Sequence, residues 1–213
     1  MAGESAAYPA RLMIDYPERL DRVTTCFRPI LVVPIVILFA ILTASSSTHV
    51  VTETGRTVRS SGLGITGGLA VATALMIVVR QRYPRWWFDF ALELTRFAAR
   101  IGAYLTLLTD RYPSTVDEQS VHLDIDYPEV TRDLNRWLPL VKWFLAIPHL
   151  VVLAVLAVLA VFAVAVAWFA IVFTGRYPRA LFEFVVGVGR WALRVQAYAI
   201  LLGTDRYPPF SMT

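Results

Sequence analysis

The sequence predicts an all-α integral membrane protein built from two tandem repeats, each a hydrophobic helical hairpin followed by an amphipathic helix with a charged stripe. Three observations predict it. Of 213 residues, 57% are hydrophobic, and the mean hydropathy is +0.57. Soluble domains sit nearer about 45–50% apolar, and a chain this short has too little interior to hide the excess. Long apolar runs recur along the chain, and motifs of the first half return in the second half in the same order.

The N-terminal segment, 1–27, is polar and holds Glu4, Asp15, Glu18 and Asp21. It lacks an early apolar core, so no cleavable signal peptide is expected. The first apolar run, 29–44, is interrupted only by Thr43, and the second, 62–79, only by Thr66 and Thr73. Each is near the lower limit for a membrane span, about 17–25 residues. Between them, 45–61 is rich in Ser and Thr and reads as an exposed loop. Gly62, Gly64, Gly67 and Gly68 fall at the start of the second run, where they favour close helix packing.

The third run, 143–173, has 31 residues with His149 as its one strongly polar member. As a helix it would measure ~46 Å, more than a hydrocarbon core of about 30 Å requires. It is either one long tilted helix or two short ones in a tight hairpin. Arg19, Arg22 and Arg28 precede the first run, and Arg80, Arg82 and Arg85 follow the second. Arg132, Arg136 and Lys142 precede the third run, and Arg176 and Arg179 follow it. The positive-inside rule places all these groups on the cytoplasmic side. That favours a hairpin in each half, the second turning near 156–161, where neither Gly nor Pro stands. Arg56 and Arg59 in the 45–61 loop count against it. The N-terminus is expected in the cytoplasm.

The repeat is plain in the residues. Ile14-Asp15-Tyr16-Pro17 returns as Ile125-Asp126-Tyr127-Pro128. Arg22, Arg28 and Pro34 match Arg136, Lys142 and Pro148 at an offset of 114. Arg82-Tyr83-Pro84-Arg85 matches Arg176-Tyr177-Pro178-Arg179 at an offset of 94, and Arg96, Arg100 and Tyr104 match Arg190, Arg194 and Tyr198 at the same offset. Both halves close on Thr-Asp-Arg-Tyr-Pro, at Thr109 and Thr204. The boundaries are thus 28–113 for the first repeat, 114–126 for a linker and 127–210 for the second. The shorter second copy lacks 20 residues, which corresponds to the polar loop and a little more. Ends on a shared side would make the copies parallel repeats.

After each Arg-Tyr-Pro comes a helix of another character. From about Arg85 to Leu108, Asp89, Glu93, Arg96 and Arg100 recur at spacings of four, three and four, so they share one face. The second copy carries Glu183, Arg190 and Arg194 and lacks the second acid. Trp86, Trp87 and Trp191 suit the head-group zone. Such a helix either lies in the interface with its stripe toward water or crosses the membrane with the stripe toward a protein interior. Seven of nine tyrosines precede a proline. Proline removes the preceding residue from the helical region, so Tyr83, Tyr112, Tyr177 and Tyr207 mark helix boundaries, expected at the membrane surface.

The net charge is +4, with basic residues beside apolar runs, which favours anionic head groups over nucleic acid. Cys26 is the single cysteine, so an intrachain disulfide is impossible. His49, His122 and His149 lack companions at metal-ligand spacing, and no phosphate-loop or nucleophile motif occurs. No metal, no cofactor and no enzymatic activity are expected. The candidate ligand or partner contacts are Arg96, Arg100, His149, Arg190 and Arg194. Two function classes remain: an accessory or scaffold subunit of a membrane assembly, with other membrane proteins or a second copy as partner, and a transporter or channel for an ion, lipid or small molecule with a site between the repeats. A cavity lined by Arg100, Arg194 and His149 would favour the second.

The second half carries Arg136-Trp137-Leu138-Pro139-Leu140-Val141-Lys142-Trp143, Ile147-Pro148-His149, Phe173-Thr174-Gly175-Arg176-Tyr177-Pro178, Arg190-Trp191-Ala192-Leu193-Arg194-Val195 and Asp205-Arg206-Tyr207-Pro208-Pro209-Phe210. Over 127–210 it resembles DUF4389, a family of uncharacterised bacterial membrane proteins. The first half resembles a diverged copy: Ile35 follows Pro34, and Arg80-Gln81 stand where the second half has Thr-Gly. The resemblance implies a membrane location and brings no activity, ligand or site residue; the apolar runs themselves lead to the expectation of a multi-pass protein of the bacterial inner membrane.

Overall fold

A computed structural model describes residues 8–43, 47–51, 57–61, 65–114 and 119–213. The fold is mostly helical. In chain order the elements are β1 (Ala10–Ile14), α1 (Arg22–Leu31), α2 (Val33–Thr43), β2 (Ser47–Val51), β3 (Thr57–Ser61), α3 (Ile65–Arg80), α4 (Arg85–Leu105), β4 (Val121–Ile125), α5 (Val130–Asp133), α6 (Pro139–Thr174) and α7 (Arg179–Ala199).

The expected second hairpin is absent. α6 is one helix of 36 residues, about 54 Å long at ~1.5 Å per residue. The reason is local: from His149 to Thr174 the chain offers no Gly or Pro to break it. The helix ends where the first helix-breaking residue stands, at Gly175, which takes a left-handed φ of 71° and returns its N–H to the Ile171 carbonyl at 2.7 Å. α6 is also the one helix, among the described residues, long and apolar enough to cross a membrane.

The 45–61 segment departs from the expected loop too. Its described parts, β2 and β3, pair antiparallel from Ser47↔Ser61 to Val51↔Thr57. Thr48, Val50, Val51, Thr57 and Val58 supply the β-branched residues that favour a pleated backbone.

A second ribbon joins the two segments expected to be polar connections. β1 pairs with β4 antiparallel, with Leu12 opposite Leu123. Both strands alternate: Val121, Leu123 and Ile125 are buried while His122 and Asp124 are exposed, and Arg11 and Met13 are exposed on β1. One face of the ribbon therefore packs inward and one faces water.

Around this ribbon the helices form two layers. α4 packs beside β4 and α7 beside β1. α7 runs back along α6: the Trp143 indole donates to the Ala199 carbonyl at 2.7 Å near one end, and Ile171 shares a buried cluster with Phe182 and Val185 near the other. α1 covers the C-terminal end of α6, where the Trp168 indole donates to the Thr25 carbonyl at 3.1 Å and the Leu20 N–H to the Gly175 carbonyl at 3.0 Å. At the opposite end, Arg136 donates to the Val78 carbonyl on α3 at 2.5 Å.

Candidate functional site: an arginine-walled trough

The charged stripes of α4 and α7 converge on the central ribbon. Arg96 donates through Nε to the Leu123 carbonyl at 2.9 Å. Arg190 donates through Nε to the Leu12 carbonyl at 3.0 Å. Leu12 and Leu123 are cross-strand partners, so one arginine grips each strand of the pair. Both side chains are half-buried. Through Arg96 and Arg190 the stripes clamp a ribbon that the charge pattern alone does not announce, while Asp89, Glu93 and Glu183 stay exposed.

One turn further on, Arg100 donates to the Ser114 carbonyl at 2.7 Å. Arg194 donates to the Ser211 carbonyl at 3.3 Å and to the Thr213 carbonyl. With Arg11 and His122 on the exposed face of the ribbon, these arginines line an open trough of about 790 Å³. Its two walls differ in neutralisation. Arg96 also pairs with Glu93 at 2.6 Å, the ion pair that their spacing allows, and with Asp124 at 3.5 Å. At the place equivalent to Glu93, the second half has Gly187, where an added Cβ would lie 2.9 Å from the Met212 Cβ and 3.1 Å from its carbonyl oxygen. The segment holding Ser211 and Met212 needs that glycine to lie close to α7. Burial lowers the Arg194 pKa from its usual range, with Tyr8 opposing and Arg190 adding to the shift.

His149 lies elsewhere. It is fully buried on α6, accepts at Nδ1 from the Trp191 indole at 3.1 Å, and stacks on Phe210 with ring centroids 4.0 Å apart. Trp191 is therefore a buried partner of His149 and not a head-group anchor, whereas Trp86 is 69% exposed. The structure brings Arg96, Arg100, Arg190 and Arg194 to one trough and leaves His149 out. An apolar cavity of about 570 Å³ does lie between α4, α6 and α7 beneath the ribbon. None of these arginines lines it, nor does His149.

The Tyr-Pro motifs stand at helix boundaries, with Pro84 and Pro178 at the N-caps of α4 and α7. Their tyrosines divide. Tyr112 and Tyr207 are roughly half-exposed. Tyr83 and Tyr177 are buried, correcting the expectation of a surface position; they donate to the Leu201 carbonyl at 2.9 Å and the Thr106 carbonyl at 3.4 Å. Burial raises the pKa of both phenols.

Two buried cations anchor the Thr-Asp-Arg-Tyr-Pro segments. Arg28 pairs with Asp110 and donates to the Thr109 carbonyl at 2.9 Å. Lys142 pairs with Asp205 at 2.7 Å and donates to the Thr204 carbonyl at 2.7 Å. The sequence signal for both was the repeated motif itself, set beside cations that recur at the 114 offset. Among the described residues, no group of three or more His, Cys, Asp or Glu side chains is placed to hold a metal ion.

Residues 137–212 match a family described as a domain of unknown function (DUF4389). No curated protein and no solved structure matches the chain.

Proposed function

We propose that the protein is a non-enzymatic scaffold: one face rests on a membrane, and the opposite face presents the arginine-walled trough to an acidic segment of a partner protein. The observation that carries this reading is the second wall of the trough. Arg190 and Arg194 pair with no Asp or Glu side chain among the described residues, where the first half has the Glu93–Arg96 pair; Arg190 donates to the Leu12 carbonyl and Arg194 to the main-chain oxygens of Ser211 and Thr213. Their positive charge is held in place by the fold and left to be matched from outside.

The reading treats the chain as two copies of one unit. Support comes from contacts that recur at equivalent positions. Arg96 reaches the second half's strand and Arg190 the first half's. Tyr16 donates to the Tyr177 carbonyl, and Tyr127 donates to the Tyr83 carbonyl. The guanidinium of Arg179 lies over Tyr16 at 5.0 Å, and that of Arg85 over Tyr127 at 5.1 Å. The two halves thus hold each other through reciprocal contacts, which suits a rigid platform. The shared cavity is lined mostly by Ala, Val and Leu, with Thr95, Thr106 and Gln196 as its polar members, which weighs against an ion as its occupant.

The test is binding of a poly-glutamate peptide to the detergent-solubilised protein, compared with Arg190→Gln/Arg194→Gln. Glutamine places its amide nitrogen where the Arg190 Nε donates to the Leu12 carbonyl; at 194 it removes the charge together with the longer reach to Ser211. Salt-sensitive binding that weakens at least about tenfold in the variant, a change of ~1.4 kcal/mol, supports the reading. Equal binding by both proteins, or none at low salt, refutes it.

A further inference from the structure

We infer that α6 lies parallel to the bilayer plane within one leaflet and does not cross it. The inference rests on the membrane seat proposed above and specifies its geometry.

The first argument is length. At about 54 Å, α6 greatly exceeds a hydrocarbon core of about 30 Å, so an upright helix would carry a long apolar overhang into water. The second argument is what travels with it. α7 runs along α6, and the β1–β4 ribbon lies near its middle, where Leu12 and Ile14 share a cavity with Ala157 and Ala160. Standing α6 upright would carry exposed Arg11, His122, Asp124 and Glu93 to the depth of the acyl chains, a costly position for ionised side chains. Lying flat keeps them on the water side, one helix layer above the lipid.

The third argument is the outward face. Phe144, Val151, Val155, Phe162, Val166 and Phe173 line the centre of an exposed apolar band and are 71, 60, 59, 66, 58 and 74% exposed, and Leu150 and Val161, 54 and 68% exposed, widen it to about half the helix. No charged residue interrupts α6 after Lys142, whose side chain is turned inward and fully buried. The rim of the apolar cavity carries exposed Leu105 and Val161, which leaves room for an acyl chain to enter.

The fourth argument is charge. Arg136 and exposed Trp137 stand before α6, and exposed Arg176 and Arg179 after it. Cationic residues at both ends, with Trp137 at one, belong at head-group level. A helix in the plane puts both ends on the same side without a turn, which reconciles the charge pattern with an uninterrupted α6. The occupant of the face is thus a leaflet containing anionic lipid.

The experiment places single cysteines at Phe144, Val155, Phe162 and Phe173 in a Cys26→Ser background. Each is labelled with an environment-sensitive fluorophore and bound to phosphatidylcholine vesicles containing phosphatidylglycerol. Spin-labelled lipids then report depth. All four positions are exposed, so the labels leave the core packing alone. The expected result is one shared depth at all four. Depths spread across the ~30 Å core, or deepest at the middle and shallow at both ends, overturn the inference and leave the membrane seat standing. Quenching by aqueous iodide with none by lipid overturns the membrane seat itself. Shielding from both quenchers means that a second copy covers the face, and that also overturns the inference.

Discussion

The Tyr16 hydroxyl donates to the Tyr177 carbonyl at 2.5 Å, joining two Tyr-Pro motifs 161 residues apart. The Tyr16 ring meets Phe182 edge-on at 5.0 Å, and the Tyr127 ring meets Phe88 at 5.2 Å. Tyr16→Phe keeps the ring contact and removes the hydrogen bond. It should cost about 1 kcal/mol, and Tyr127→Phe the same. The sites are far apart, so the double variant should lose about 2 kcal/mol. Denaturant unfolding in detergent measures this; a loss confined to one variant contradicts the paired arrangement.

Removing Asp205 should be far more damaging than removing a surface acid. Its partner Lys142 is fully buried. Asp205→Asn leaves that ammonium unmatched, at a cost of about 3 kcal/mol or more. Lys142→Met added to Asp205→Asn should recover part of the loss, because the unmatched charge is gone. Thermal unfolding of the two variants beside wild type decides the matter; a double variant less stable than the single contradicts it.

Gly187→Ala probes the close approach of Met212. The new Cβ would sit 2.9 Å from the Met212 Cβ and 3.1 Å from its carbonyl oxygen. A backbone atom cannot swing aside as a side-chain tip can, so the 211–213 segment must move. Arg194 then loses its contacts to Ser211 and Thr213. Faster backbone hydrogen exchange at Ser211 to Thr213, with exchange in α6 unchanged, is the expected outcome. Unchanged protection at 211–213 would show that the approach is looser than this.

Stability should fall at alkaline pH. Burial raises the Tyr83 and Tyr177 phenols above their ordinary value, so the fold favours their neutral forms. The unfolded chain ionises near pH ~10. Their contribution is complete below that pH and is lost as the pH climbs above it. Unfolding midpoints measured from pH 8 to pH 11 should hold steady and then drop. Tyr83→Phe/Tyr177→Phe should flatten the drop, and a slope unchanged by the double variant would assign it to other groups.

Much of this arrangement is legible in the residues. Arg-Tyr-Pro marks the starts of α4 at Arg85 and α7 at Arg179 because proline stops one element and presets the next. The stripe spacing puts Arg96, Arg100, Arg190 and Arg194 on helix faces that do meet at one site. The ribbon was hidden. β1 and β4 are five residues each, lie within polar segments, and pair only across more than a hundred residues. Without the ribbon, the partners of the arginines could not be seen, and lipid or water was the natural guess. Trp191 misleads in the same way: residue type suggests the head-group zone, but only packing places it under His149. A turn at 156–161 has only flanking charge and the repeat's shorter offset to suggest it, and Leu, Ala and Val there supply no means of turning.

The most direct test of the account is extraction of the native membrane fraction with alkaline carbonate, comparing wild type with Phe144→Glu/Val155→Glu/Phe169→Glu. These three residues are 71, 59 and 57% exposed on α6, so the variant should still fold. The account predicts that wild type stays with the membrane and that the variant is released in folded form. Wild type that washes off, or a variant that stays behind, would contradict an apolar face buried in lipid.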